Sequence, residues 1–400
     1  MRTRIKQTIQ GAIGLAIGVF ILWWMFQGTS WAGLKRSFGE MRWGWIVLAV
    51  TFIGVSFLGR VKRWSYVVRA AEPRASFRSM FSATQIGFLA NFTLPARIGE
   101  LVRAIVLARL TGLAVARSFA LVALDRVNDL IGLIAVMAIA LLAYRPEKNI
   151  EIPGELFRSD SPILIPASAY HTGALGAAVF LVAVITVFVL LYVSKKLVLR
   201  VSDGIFGFLS ARLSFFKPAA SACGRLGGWS HHLLEQFAQG LDVFRSAPDM
   251  AKSVGYNLAT WACFVAVLQC MLFAFGIESP WYTVFVMQAA LAIAISVPGT
   301  PGFVGQFQVP LVASLKLVSP EVSYDDALAL AILTHAINAG MVIVTGLGCL
   351  QLEGLHLLQL SDEGVRKKSG LHASPETGAV LEEDAKPRSE ERRVGKECQS

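Results

Sequence analysis

The run Asp125-Arg126-Val127-Asn128-Asp129 sets two carboxylates and a guanidinium inside an apolar stretch, 118–143. At membrane depth an ionisable side chain is costly unless it meets protein, water or a partner, so these groups should face inward. Asp129 stands three residues after Arg126, within reach across one helical turn. Two readings follow from the same spacing: an intramembrane ion pair that fixes helix packing, or a site for a substrate or coupling ion, the role such residues ordinarily have.

A second constellation is Arg97, Glu100 and Arg103, at spacings of three after Pro95. With Pro95 in the first turn of a half-helix, the three share one face. The free N–H groups and positive dipole end of such a half-helix suit an anion, and Arg97 adds a planar fork for phosphate oxygens. The alternative is that Arg97 and Arg103 extend to cytoplasmic lipid headgroups. The third constellation, Val297-Pro298-Gly299-Thr300-Pro301-Gly302, cannot be continuous helix. Broken backbone at membrane depth is tolerated only beside protein or a water-filled cavity. Gly302 and Gly305 allow close approach by a ligand or by a facing helix, while Gln306 and Gln308 line the site or satisfy the break. The helix that follows offers His335 and Asn338 at i, i+3, as the earlier one offers Arg126 and Asp129.

Soluble-enzyme signatures are missing: no G-x-S-x-G, no P-loop, no H-E-x-x-H. The five cysteines form no C-x-x-C, and His231-His232 would point to different helix faces, so neither a metal nor another cofactor is expected. The expectation is a protein that is not an enzyme.

The elements that must hold these residues are set by hydropathy. Of 400 residues, 54% are hydrophobic and only 16% charged, and the mean hydropathy is +0.57, which defines an integral membrane protein of all-α class. Net charge is +10, which suits anionic lipid and cytoplasmic loops rather than nucleic acid. Six segments are long enough to span a bilayer: 10–27, 43–59, 118–143, 172–193, 253–275 and 327–350. The first has a basic start but no small-residue cleavage site, so it reads as an uncleaved span. Two more apolar stretches, 77–110 and 281–317, are interrupted by Pro and Gly and read as hairpins, re-entrant or spanning.

Loop charge orients the chain. Residues 60–78 hold six Lys/Arg against Glu72 alone, and 195–249 hold seven against four acids, whereas 145–170 hold three against four. The basic loops should be cytoplasmic, with both termini inside and 145–170 outside; the short basic loop at Lys35, Arg36 and Arg42 goes against this bias. The hairpins then enter from opposite sides. They share P-x-x-x-G-[E/Q], as Pro95-Ala96-Arg97-Ile98-Gly99-Glu100 and Pro301-Gly302-Phe303-Val304-Gly305-Gln306, the pattern of an inverted-topology repeat. The transmembrane domain is expected over 1–352, with an interfacial cytoplasmic segment at 195–250. Residues 353–400 read as a disordered cytoplasmic tail, whose last dozen residues have the character of a vector-derived scar.

On these motifs the chain resembles the lysylphosphatidylglycerol synthase transmembrane-region, or flippase-like, family over nearly all of 10–352. The carrying residues are Asn91-Phe92-x-Leu94-Pro95-Ala96-Arg97-x-Gly99-Glu100-x-x-Arg103, then Asp125-Arg126-x-x-Asp129, then Pro298-Gly299-x-Pro301-Gly302-x-x-Gly305. Two positions depart from the family's habit: Asp125 where Glu is usual, and His335 where Arg is usual, which makes charge at the second repeat depend on histidine protonation. The resemblance implies a bacterial inner-membrane protein that moves or presents lipids, with an anionic phospholipid, a hopanoid or a polyprenyl-linked glycan as substrate and a lipid-synthesis enzyme as a candidate partner. Fewer than 50 residues follow Leu352, too few and too polar for the aminoacyl-transfer domain of larger relatives. The expectation is a translocase, with the headgroup held by Arg97, Arg103 and Arg126 between the hairpins. The alternative is a non-transporting scaffold or accessory subunit of a lipid-modifying enzyme.

Overall fold

The computed structural model describes residues 30–94, 98–146, 150–152, 163–212, 226–228, 247–297 and 300–355, with Trp23 and His231. Over these the chain is helical, apart from a two-stranded antiparallel ribbon pairing Ile150–Ile152 with Ile163–Ile165. The helices are α1 (Trp31–Glu40), α2 (Trp43–Ala71), α3 (Phe77–Thr93), α4 (Gly99–Thr111), α5 (Val115–Ala143), α6 (Ala167–Arg212), α7 (Ala247–Ala274), α8 (Thr283–Ser296), α9 (Gln308–Val318) and α10 (Tyr324–Leu352).

Helix starts follow the side chains that satisfy free N–H groups. The Ser30 hydroxyl accepts from Gly33 N at 2.7 Å, Ser76 from Ser79 N at 3.0 Å, and Ser323 from Asp326 N at 3.0 Å. Asp325 and Asp326 add negative charge to the first turn of α10. Asp326 also accepts from Ser37 at 2.6 Å, which docks α1 on the start of α10.

Among the described residues four helices are long and apolar enough to cross a membrane: Trp43–Ala71, Val115–Ala143, Pro248–Ala274 and Tyr324–Leu352. They coincide with four of the six expected spans. Residues 172–193 lie inside α6, and 10–27 lie outside the described residues, save Trp23.

Both interrupted stretches form helix pairs. In the first, α3 and α4 flank a break after Leu94; in the second, α8 and α9 flank the break that carries Pro301–Phe303. Gly99 makes the first pair possible, because a Cβ there would collide with the Gly87 carbonyl and the Asn91 side chain. The two backbones therefore approach to a distance that only glycine permits. The second break bends through positive φ at Gly302 (71°) and Phe303 (55°).

Two expected boundaries are corrected. Residues 60–71 are not a loop, because α2 runs on to Ala71; Val61, Trp64, Val67 and Val68 keep a buried helical face, and no Pro or Gly interrupts it. Residues 200–212 are the end of α6 rather than a separate interfacial helix; 213–225 and most of 229–246 lie outside the described residues.

The core is built by reciprocal packing. The long helices α2 and α7 lie against each other, α10 packs on α3, and α5 packs on α8. One apolar cluster joins α3 and α4 to the later half of α2 and the start of α5. Another joins α8, α9 and α10 to α7 and the earlier half of α2.

Candidate functional site

At the centre of the fold Arg63 is fully buried. Its Nε and Nη2 donate to Asp125 Oδ1 at 3.0 and 2.6 Å, and its Nη1 donates to Asp129 Oδ1 at 2.8 Å and Asn257 Oδ1 at 2.6 Å. The other Asp125 oxygen accepts from Arg103 Nη1 at 2.8 Å. Asn257 passes the connection on by donating to the Asn128 carbonyl at 2.6 Å, and Asn128 donates to Ser253 at 2.7 Å. One arginine on α2 thus ties α5 to α7, and charges that could not lie in lipid singly are buried as a hydrogen-bonded set.

Asp129 is the hinge between this closed set and a cavity. Besides Arg63 it accepts from Trp261 Nε1 at 3.2 Å, an approach that needs Gly132, since a Cβ there would strike the indole. Arg126 Nη1 stands 3.4 Å from Asp129, and its Nη2 stands 3.4 Å from Glu100. Arg60 Nη1 is 3.8 Å from Asp129. Glu100 is in turn held by the Asn91 amide at 3.2 Å.

The cavity, of about 610 Å³, is bounded by both hairpins together with α2, α5, α7 and α10. Its polar end presents Arg60, Asn91, Glu100, Arg126 and Asp129; its remaining wall is largely apolar, with Phe57, Phe88, Leu268, Leu291 and Val342. The hairpin tips meet over it: Phe92 packs on Phe303 with centroids 6.2 Å apart and on His335 at 6.1 Å.

His335 is a strut of the second break. Its Nε2 lies 2.8 Å from the Gly302 carbonyl and its Nδ1 lies 2.8 Å from Gln308 Nε2, while Gln308 Oε1 accepts from Gly305 N at 2.8 Å. This chain of partners assigns the proton to Nε2 and leaves Nδ1 as an acceptor, hence a neutral ring. A second proton would face the Gln308 amide donor, and turning that amide over would set its NH₂ against Gly305 N–H. The expected conditional charge at His335 is replaced by a neutral prop.

The structure divides the expected site residues. Arg126, Asp129, Glu100, His335 and Asn338 line the cavity. Arg103 does not: it is buried with its guanidinium 3.6 Å from the Trp64 ring centroid and serves Asp125. Asp125 is also enclosed, at 0% exposure. Gln306 satisfies the break rather than the site, donating to the Ala294 and Val297 carbonyls at 3.1 and 3.0 Å. Pro301, Gly302 and Gly305 shape the turn beneath His335. Arg97, Pro298 and Gly299 lie outside the described residues. Pro95, also outside them, precedes the first turn of α4, which starts at Gly99 after Ile98 as N-cap. The α4 N-terminus is met by the protein itself, Gly99 N donating to Asn91 Oδ1 at 2.8 Å with Glu100 in the first turn. Among the described residues no group of three or more His, Cys, Asp or Glu could hold a metal ion.

Arg60 and Arg63 were hidden within a basic stretch of the sequence. The signal that could have found them is the apolar periodicity that continues past Gly59 to Val68 and places Arg63 on the buried side.

Glycosyltransferase AglD of Haloferax volcanii is 24% identical over 385 residues, covering 93% of this chain and 59% of that protein; the chain thus spans well under two thirds of that relative's length. The profile of the lysylphosphatidylglycerol synthase TM region matches residues 11–346. With its broken hairpins, its Asp-Arg-x-x-Asp helix and this match over most of its length, the chain belongs to the lysylphosphatidylglycerol synthase transmembrane-region family, a lipid-related family of membrane proteins.

Proposed function

We propose that the protein is a lipid translocase of the bacterial inner membrane, which holds an anionic headgroup between its two broken hairpins and does not itself carry out group transfer. The observation that carries this reading is the cavity at the junction of the breaks, charged at one end and largely apolar over the rest of its wall, which fits an amphiphile. Arg126 is the headgroup guanidinium of this reading, since it lines the cavity with two loose ion pairs, while Arg103 keeps a structural role.

An inverted repeat supports alternating access. The order long helix, hairpin, long helix occurs as α2, α3/α4, α5 and again as α7, α8/α9, α10. The packing of α3 on α10 and of α8 on α5, with α2 against α7, is the exchange a two-fold axis would generate. With 10–27 and α6 as further spans, both termini are cytoplasmic and 145–170 lies outside.

The test is movement of labelled anionic lipid in proteoliposomes, with lipid masses checked to be unchanged. Acceleration that is lost in Arg126→Gln supports translocation; no acceleration of any anionic lipid counts against it. A scaffold reading is favoured by one observation, the closed Arg63, Asp125 and Arg103 set, and would be preferred if Arg126→Gln left cellular function intact.

A further inference from the structure

Among the described residues Arg60 donates no hydrogen bond, and its nearest acid, Asp129, is 3.8 Å away, beyond hydrogen-bond reach. Yet the side chain is only 12% exposed and lines the cavity. Its guanidinium lies 5.1 Å from the Phe88 ring centroid and 5.4 Å from that of Phe264. Cation–π contact engages the face of a guanidinium, whereas its five donors lie in the plane, so the rings orient Arg60 and leave those donors uncommitted. Nearby, Arg126 Nε is buried and, among the described residues, also without a partner. Buried donors of this kind are ordinarily satisfied, and two planar forks that both approach Asp129 Oδ2 are close enough to share one tetrahedral oxyanion.

We infer that Arg60 is a second headgroup-binding residue and that the phosphate of an amphiphilic ligand bridges Arg60 and Arg126; this rests on the cavity being the lipid site of the translocase reading. Among the described residues the cluster holds four arginines (Arg60, Arg63, Arg103, Arg126) against three carboxylates (Glu100, Asp125, Asp129). This excess of positive charge among the described residues suits an anionic group. The apolar wall of Phe57, Leu268 and Leu291 then takes the start of the acyl chains, which a free phosphate lacks.

Isothermal titration of the detergent-solubilised full chain tests this, with dihexanoyl phosphatidylglycerol, dihexanoyl phosphatidic acid, dihexanoylglycerol and inorganic phosphate as probes. Both phospholipids should bind more tightly than dihexanoylglycerol and inorganic phosphate, and Arg60→Gln should weaken them about tenfold or more, the loss of a charge-assisted pair of hydrogen bonds. Arg60→Lys should bind as poorly, because it keeps the charge and loses the fork; it also carries the test if Arg60→Gln fails to fold. Unchanged affinity in a folded Arg60 variant overturns the inference, as does equal or tighter binding of dihexanoylglycerol or inorganic phosphate. Lipid movement measured on the same variants separates the two readings. Transport unchanged in Arg60→Gln sinks the role of Arg60 and leaves translocation standing, whereas binding through Arg60 with no transport by the wild type upholds the site and removes the translocase.

Discussion

Arg63 grips a single oxygen of Asp125 with two nitrogens, at 3.0 and 2.6 Å, across 62 residues of chain. Both side chains are cut off from solvent, so the pair has no water to fall back on when one member is removed. Arg63→Gln should therefore destabilise the protein by about 3–5 kcal/mol, read as a fall in detergent melting temperature. Adding Asp129→Asn should recover part of that loss by removing one of the two carboxylates that Arg63 serves. A loss under about 1 kcal/mol in the single variant would show that Arg103 alone can hold Asp125.

Arg126 stands in the opposite position. Its side chain is 35% exposed, its two acidic partners are both at 3.4 Å, and Asp129 keeps Arg63 when Arg126 is gone. Arg126→Gln should cost about 1 kcal/mol or less in stability while lowering lipid movement about tenfold or more. The double variant Arg126→Gln with Asp129→Asn should fold and still not transport, because a phosphate site needs the guanidinium fork and not only charge balance. Transport restored by the double variant would reassign Arg126 to structure.

His335 props the second hairpin through a neutral ring, so replacing it by Leu strands the Gly302 carbonyl and the Gln308 amide. Each stranded buried group costs about 1–3 kcal/mol, and the melting temperature should fall accordingly. His335→Arg should also destabilise, since it presents only donors to the Gln308 amide. Pairing it with Gln308→Glu should recover stability, because a carboxylate can accept from both the introduced guanidinium and Gly305 N. Failure of that rescue, judged by melting temperature, would show that volume rather than donor matching decides at this position.

The proposed topology predicts opposite labelling at two serines. Ser76 caps α3 at the end of the molecule next to the basic stretch that closes α2, and Ser159 lies in 145–170, outside the described residues. A periplasmic thiol reagent should mark a cysteine placed at Ser159 and spare one placed at Ser76. The reverse pattern would overturn the orientation and the direction assigned to each hairpin.

Much of this protein is legible in its sequence because the bilayer restricts what an apolar stretch can do. Backbone groups must be satisfied inside the segment, so length and hydropathy alone locate the four long helices, and Pro and Gly mark where α3/α4 and α8/α9 must break. Asp125, Arg126 and Asp129 stand out for the same reason, as charge where charge is costly.

What the sequence could not decide is which charges share a partner. Positive charge near a span end reads as loop, and Arg60 and Arg63 carry that signature; only the packing of α2 along α7 and α5 turns them inward, onto carboxylates more than 60 residues away. Likewise the spacing of Arg97, Glu100 and Arg103 shows one shared face but not its neighbour. It is Trp64 on α2 and Asp125 on α5 that take Arg103 away from the cavity, and Asn91 and Glu100 that meet the start of α4. Periodicity is local and set by the helix; the partner of a buried charge is set by which helices touch, a long-range outcome that no short window of residues contains.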